Sequence, residues 1–227
     1  MVPAGTFAAR SYIARWTGST WEALGGGVSL QVNALLVTSG DELIAAGRFG
    51  LAGGAPCSRV ARWDGATWSA MGAGLDDWVN ALAEYKGQVY AGGMFRTSGG
   101  ASCLRLGRWD GARWGPVVTA IDGEVSSLFA WNSRLYVRGA QNIDGVNTGS
   151  PAVFDGSSWS RFVAGQTVSV SVLTPYGDKL IVNGSSYYDG TGVTPFAQDE
   201  SISSIVEALD VEGPRVLAGG LIGKAGP

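Results

Sequence analysis

Five copies of one sequence unit, Asp-Gly pairs set between β-prone runs, and an unusual glycine content predict an all-β fold for this chain. The specific expectation is a five-bladed β-propeller with four antiparallel strands per blade. The chain has 227 residues and 36 glycines, more than double the ordinary share of about 7%. The glycines recur at fixed places, as a fold with many tight turns requires.

The reference copy opens Val60-Ala-Arg-Trp63-Asp64-Gly65-Ala-Thr-Trp68 and continues with Val79-Asn-Ala-Leu82, Tyr90-Ala-Gly92-Gly93 and Ser98-Gly99-Gly100. The same order appears as Ile13-Ala-Arg-Trp16, Trp21, Val32-Asn-Ala-Leu35 and Ala45-Ala-Gly47-Arg-Phe49 before it. After it come Leu106-Gly-Arg-Trp109-Asp110-Gly111-Ala-Arg-Trp114, Val125-Ser-Ser-Leu128 and Leu135-Tyr-Val-Arg138-Gly139. A fourth copy is marked by Phe154-Asp155-Gly156-Ser-Ser-Trp159, and a fifth by Tyr188-Asp189-Gly190 with Val206-Glu-Ala-Leu209 and Val216-Leu-Ala-Gly219-Gly220. The aromatics at positions 16, 63, 109 and 154 stand 47, 46 and 45 residues apart, and Tyr188 follows after 34.

Each copy reads as four strands. Val79 to Tyr85 alternates, a Lys86-Gly87 turn follows, and Val89 to Gly93 returns. A third strand ends at the Trp before Asp-Gly, and a fourth begins at the Trp after it. Asp-Gly between β-prone runs is a strong hairpin signal, because both residues tolerate positive φ. No stretch keeps the apolar period of a helix. One domain over 1–227 is expected, with blades at 28–72, 73–118, 119–163 and 164–200. A composite blade would combine 1–27 with 201–227, strands from both termini closing the ring so that no free edge remains at the seam.

Histidine is absent. That removes the commonest general base and metal ligand, and with them the Ser-His-Asp triad and the HExxH zinc site. No catalytic residue, metal or cofactor is expected. Formal net charge is -3, which supplies no basic footprint for nucleic acid. No run approaches the roughly 18 apolar residues that cross a bilayer, so membrane insertion is not expected. The first residues carry no basic region followed by an apolar stretch. They read like the middle of a repeat, as in an internal piece of a longer protein.

Repeated tryptophans are expected to fill the wedges between blades, with Trp78 and Trp131 outside those columns. Arg15, Arg62 and Arg108 precede the Trp in three copies; one reading is a ring that holds an anion, and the favoured one is a structural role on the opposite strand face, pairing with carboxylates or covering apolar surface with their stems. Cys57 and Cys103 lie one repeat, 46 residues, apart. Equivalent positions in neighbouring blades are too far apart for a disulfide, so two free, buried thiols are expected. Asp76 and Asp77 are two oxygen-bearing residues, far short of the six to eight oxygens that Ca²⁺ takes.

The face carrying the longer loops is the expected binding surface, since the other has only tight hairpins. Arg48, Phe49, Asp76, Asp77, Trp78, Phe95, Arg96, Asn142 and Asp144 are the residues expected to project there.

The run Tyr90-Ala-Gly92-Gly93 followed by Trp109 and Trp114 resembles the kelch repeat. Ala-Gly-Gly-x-Phe followed by Gly-Gly is also similar to repeats of fungal cortical cell-polarity markers and their bacterial relatives, which implies an extracellular or cell-surface setting. Trp63-Asp64 and Trp109-Asp110 resemble WD repeats, without their Gly-His signature. The kelch resemblance extends to galactose oxidase propellers, whose copper site needs the histidine missing here. The leading expectation is a monomeric, non-enzymatic recognition or scaffold module binding protein or glycan. One alternative is a carbohydrate-active hydrolase or lyase using Asp76, Asp77, Glu84 or Asp122 near the axis. Another is a structural spacer in a larger surface protein.

Overall fold

The computed structural model describes residues 12–149, 151–163, 170, 173–183, 186–195, 204–212 and 215–222, the last two stretches as backbone only. Among these residues there are four four-stranded antiparallel sheets. The first is built from Val32–Val37, Leu43–Gly47, Val60–Trp63 and Trp68–Ala70, and the second from Val79–Tyr85, Gln88–Gly93, Leu106–Trp109 and Trp114–Pro116. The third runs Ser127–Trp131, Arg134–Arg138, Ala152–Phe154 and Trp159–Arg161, and the fourth Leu173–Tyr176, Lys179–Val182, Ser186–Tyr188 and Val193–Pro195. Every sheet is an up-and-down meander whose strands pair in chain order. Pro116, Pro175 and Pro195 all sit on sheet-edge strands, where the missing N–H removes no ladder bond.

Two further hairpins stand as separate two-stranded sheets, Ala14–Trp16 with Trp21–Ala23 and Ser204–Glu212 with Arg215–Ile222. The first has the sequence of third and fourth strands, the second that of first and second strands.

First strands of successive sheets lie side by side. Val32–Val37 packs on Val79–Tyr85, which packs on Ser127–Trp131, and Leu173–Tyr176 packs on Ser204–Glu212. Val79–Tyr85 is therefore covered on both faces and almost wholly buried. The core is divided into wedges. Ile13 and Leu24 of the first hairpin meet Phe49, Cys57 and Trp68 of the first sheet. Ile44 and Ala46 meet Leu82, Phe95 and Trp114; Tyr90 and Leu106 meet Val125 and Leu128; Tyr136 and Val153 meet Leu180 and Tyr188.

The Trp columns divide their labour. Trp68 and Trp114 are buried, and their partners across the hairpin, Trp63 and Trp109, are half-buried at ring distances of 5.3 and 5.5 Å. Arg15 and Arg62 pair with Glu22 and Glu42 on the exposed strand face, both at 3.1 Å.

The Asp-Gly turns work differently from the expectation of positive φ at both residues. Only the glycines are left-handed, at φ +98° for Gly65, +102° for Gly111, +106° for Gly156 and +100° for Gly190. Each Asp instead accepts the backbone N–H groups two and three residues ahead, as Asp64 does from Ala66 and Thr67 at 2.8 and 2.7 Å. Asp110, Asp155 and Asp189 repeat this. In the first hairpin the Thr17 hydroxyl takes the place of the carboxylate and accepts from Thr20 N–H.

Candidate interaction face

In the first three sheets the loops between second and third strands are longer than the opposite turns, and they are not irregular. Each folds into a small hairpin, Leu51–Ala52 with Ala55–Pro56, Thr97–Ser98 with Ala101–Ser102, and Asn142–Ile143 with Val146–Asn147. Their tips are Gly53-Gly54, Gly99-Gly100 and Asp144-Gly145, with positive φ at both residues of each pair. That is the two-residue turn whose twist matches a hairpin, and it explains the Gly-Gly pairs.

One side chain in the loop that enters each first strand staples the small hairpin down. The Ser29 hydroxyl accepts from the N–H groups of Gly50 and Leu51. The Asp76 carboxylate accepts from those of Arg96 and Thr97 at 2.7 and 2.9 Å. Asp122 accepts from the Gln141 N–H and the Asn142 side-chain amide at 2.9 and 2.6 Å. Asp144 reaches the other way, accepting from the N–H groups of Thr119 and Ala120 and from the Thr119 hydroxyl. Partial burial pushes the carboxyls of Asp76, Asp122 and Asp144 up, but these hydrogen bonds outweigh it and all three end below the usual range. Asp76, Asn142 and Asp144, expected as contact residues, thus have their polar groups engaged within the fold. Ser29 has the same role and was not singled out from the sequence, although it stands three residues before Val32 as Asp76 stands three before Val79.

Arg48 and Trp78 are brought together. The Arg48 guanidinium carbon lies 3.6 Å from the centre of the Trp78 ring. The backbone fixes both. Arg48 N–H donates to Gln31 C=O, and Met94 N–H, at the equivalent place one sheet on, donates to Trp78 C=O, each at 2.9 Å. Asp77 accepts from Trp78 N–H at 2.7 Å. Trp78 keeps 37% of its surface exposed and Met94 38%. An exposed indole with a guanidinium stacked on it therefore forms one apolar and cationic spot, and the exposed Met94 is tied to it through the backbone. It sits where two neighbouring first strands begin. Below it, Asn33 and Asn80 donate side-chain amides to the carbonyls of Val79 and Val125 in the next sheet, tying the first strands together. Met94 was not anticipated as part of this patch, since a single Met carries no positional signal.

Phe49 and Phe95 are a correction. Both were expected on the surface, and both are completely buried. Phe49 packs with Cys57 and Trp68, and Phe95 with Cys103 and Trp114. The small hairpin beyond each ring roofs it over, so the aromatic fills the wedge under the loop. Arg96 is exposed.

Of the carboxylates considered for catalysis, Glu84 stands apart from Asp76 and Asp77. Glu84 lies at the far end of Val79–Tyr85, where it accepts from Ser39 N–H and hydroxyl. Seven residues of strand separate it from Asp77, on the order of 20 Å at about 3.3 Å per residue. Paired acid chemistry needs roughly 5–10 Å. Every carboxyl with a shift among the described residues is lowered, Asp76 and Asp122 included. Cys57 and Cys103 are free and buried, and burial pushes both thiols up to about 11.

No protein-family model matches the sequence, and no curated protein matches it. Solved structures do match. The chain is similar to the computationally designed Ika8 protein at 18% identity and TM-score 0.56, over 91% of this chain and 61% of that one. It is also similar to the WD40 β-propeller domain of Doa1 at 14% identity and TM-score 0.50, over 85% of this chain and 62% of that one. The chain spans about three-fifths of the length of those two solved chains. At such identities the likeness concerns the fold alone. With the repeated four-stranded meanders, it assigns the chain a β-propeller repeat fold.

Proposed function

We propose that the chain is a kelch-like, five-bladed propeller serving as a monomeric, non-enzymatic recognition or scaffold module. It binds a protein or glycan partner through its long-loop face, in an extracellular or cell-surface setting. The observation that carries this reading is the exposed Trp78 with the Arg48 guanidinium stacked on its ring, next to an exposed Met94 whose N–H donates to the Trp78 C=O. Trp, Met and Arg are the side chains enriched where proteins bind partners, and an indole face held rigid costs little entropy to engage. The stapled hairpins around it supply a fixed surface instead of a mobile one.

A glycan array and a pull-down from the organism's own surface fraction, each run with the unaltered chain and with Trp78→Ala, test this. The expected result is a specific partner retained by the unaltered chain and lost by the variant, whose melting temperature stays close to the parent's. A partner bound equally well by the variant would remove the patch from the reading. No partner in either assay would leave a spacer role as the better account.

A further inference from the structure

The first sheet has one side that its neighbours do not have. Leu35 is 56% exposed, whereas the equivalent Leu82 and Leu128 are 8% and 7% exposed. Leu82 is covered by Ile44 and Ala46 on the second strand of the preceding sheet. Leu128 is covered in the same way by Tyr90 and lies against Gly92, where a Cβ would stand 3.1 Å from it. Between Leu35 and the first hairpin runs a groove with Ile13, Leu24, Leu35 and Leu43 in its wall and Arg15 and Asp41 also lining it. Trp21 in that hairpin is 59% exposed, against 8% and 3% for the equivalent Trp68 and Trp114.

The hairpin of Ser204–Glu212 and Arg215–Ile222 has the features of the cover this side lacks. It pairs Leu209 with Ala218, as the complete sheets pair Leu35 with Ala45, Leu82 with Ala91, Leu128 with Val137 and Leu173 with Val182. Its register shifts between Val206 and Ala208, matching the shift between Val32 and Ala34. Its first strand already lies along Leu173–Tyr176, as Val79–Tyr85 lies along Val32–Val37 and Ser127–Trp131. The first hairpin supplies the complementary half, pairing Trp16 with Trp21 as Trp63 pairs with Trp68.

We infer that the groove of the first sheet is the docking site for Arg215–Ile222 of the same chain, which adds in one register to the edge of Ala14–Trp16 that is unpaired among the described residues. The second and third strands of all four sheets fix that register. Leu43 faces Trp63 and Ala45 faces Ala61; Ala91 faces Gly107; Leu135 faces Phe154 and Val137 faces Ala152; Leu180 faces Tyr188 and Val182 faces Ser186. By the same count Val216 pairs with Trp16, Leu217 with Arg15 and Ala218 with Ala14. Leu217 and Gly219 then stand at the register positions equivalent to Ile44 and Ala46. Backbone hydrogen bonds fill the edge, and the apolar wall of the groove supplies the packing. This inference rests on the five-bladed reading and adds the occupant and its register.

The test uses the full chain with Cys57→Ala and Cys103→Ala, so that no native thiol remains. Ala14→Cys with Ala218→Cys is compared with Ala14→Cys with Leu217→Cys, one residue out of register, after mild oxidation at low protein concentration. Successive side chains point to opposite faces of a strand, so only one of the two pairs places its thiols together. Cross-linking of the first pair within the monomer, with the second pair left reduced, supports the inference. Hydrogen exchange on the unaltered chain is the second measurement, because it does not depend on how the variants fold. Slow exchange within 14–16 and 216–219 is expected. Slow exchange with cross-linking of the second pair alone overturns the register and leaves the five-bladed reading standing. Cross-links found only between chains overturn the inference in favour of a second copy as occupant. Fast exchange in both segments overturns the inference and the five-bladed reading together.

Discussion

Phe95→Ala removes a ring that is completely buried beneath the Thr97–Ser102 hairpin and packed on Cys103 and Trp114. Removing a buried Phe side chain costs about 3–5 kcal/mol, the lost transfer energy plus the cavity left behind. The upper part of that range is expected here, because the stapled hairpin above the ring cannot easily collapse into the gap. Asp76 holds that hairpin through two backbone N–H groups. In a domain of this size a loss of about 3–5 kcal/mol lowers the melting temperature by about 6–20 °C. Urea unfolding followed by circular dichroism would read the change as a lower midpoint at constant slope. Phe49→Ala should behave alike. Trp78→Ala is the control, since it leaves a half-exposed site and forfeits a cation–π contact of about 0.5–1 kcal/mol. A Phe95→Ala loss below about 1 kcal/mol, the ordinary range for surface changes, would refute the assignment of these rings to the core.

The remaining predictions concern close packing, protonation and thiols. Gly92→Ala would drive a Cβ into Val125 Cγ1, so it should cost about 1–3 kcal/mol by overpacking, and Val125→Ala should recover only part of that in a denaturation series, since the Val125 Cβ still stands 2.9 Å away. Hydrogen bonds from the turn N–H groups and from the Thr191 hydroxyl hold the Asp189 carboxyl at about 2, and the same kind of turn lowers Asp64, Asp110 and Asp155. A carboxyl whose folded value lies below its unfolded value of about 3.9 stabilises the fold above that pH and loses its contribution as pH falls. Thermal stability should therefore decline between about pH 4 and pH 2, and Asp189→Asn should flatten part of that decline. Cys57 and Cys103, with thiols pushed up to about 11, should react slowly with a disulfide reagent at pH 8 in the folded chain, and both should react at once in denaturant. A fast native reaction would contradict their burial.

Sequence made the architecture legible because each level repeats the same instruction. The Trp-Asp-Gly turn, the Val-Asn-Ala-Leu strand and the Ala-Gly-Gly strand return in one order, and the four sheets follow that order. The site was less legible, for definable reasons. Phe49 and Phe95 stand next to glycine-rich loops, and nothing local distinguishes an aromatic above such a loop from one beneath it. The Gly53-Gly54 and Gly99-Gly100 pairs were hairpin signals, but their flanking strands are two residues long, too short to show alternation. The meeting of Arg48 with Trp78 depends on how one sheet sits against the next, which no spacing within a repeat expresses. Asp76 and Asp144 illustrate a general ambiguity: an exposed carboxylate in a loop reads as a ligand group until its backbone partners are seen.

Those staples have a consequence for how the face can change. Each small hairpin closes on its own two-residue turn and is fastened by one polar side chain from the adjoining loop. The Gly-Gly tips of the first two hairpins add no side chain to that fastening, whereas Asp144 at the tip of the third adds a second. Outward-facing positions such as Leu51, Arg96 and Val146 are exposed, so they can be exchanged without disturbing the wedges beneath. A surface of that kind separates the chemistry of recognition from the energetics of folding. Substituting the outward positions one hairpin at a time should retune what the face prefers while the unfolding midpoint stays in place.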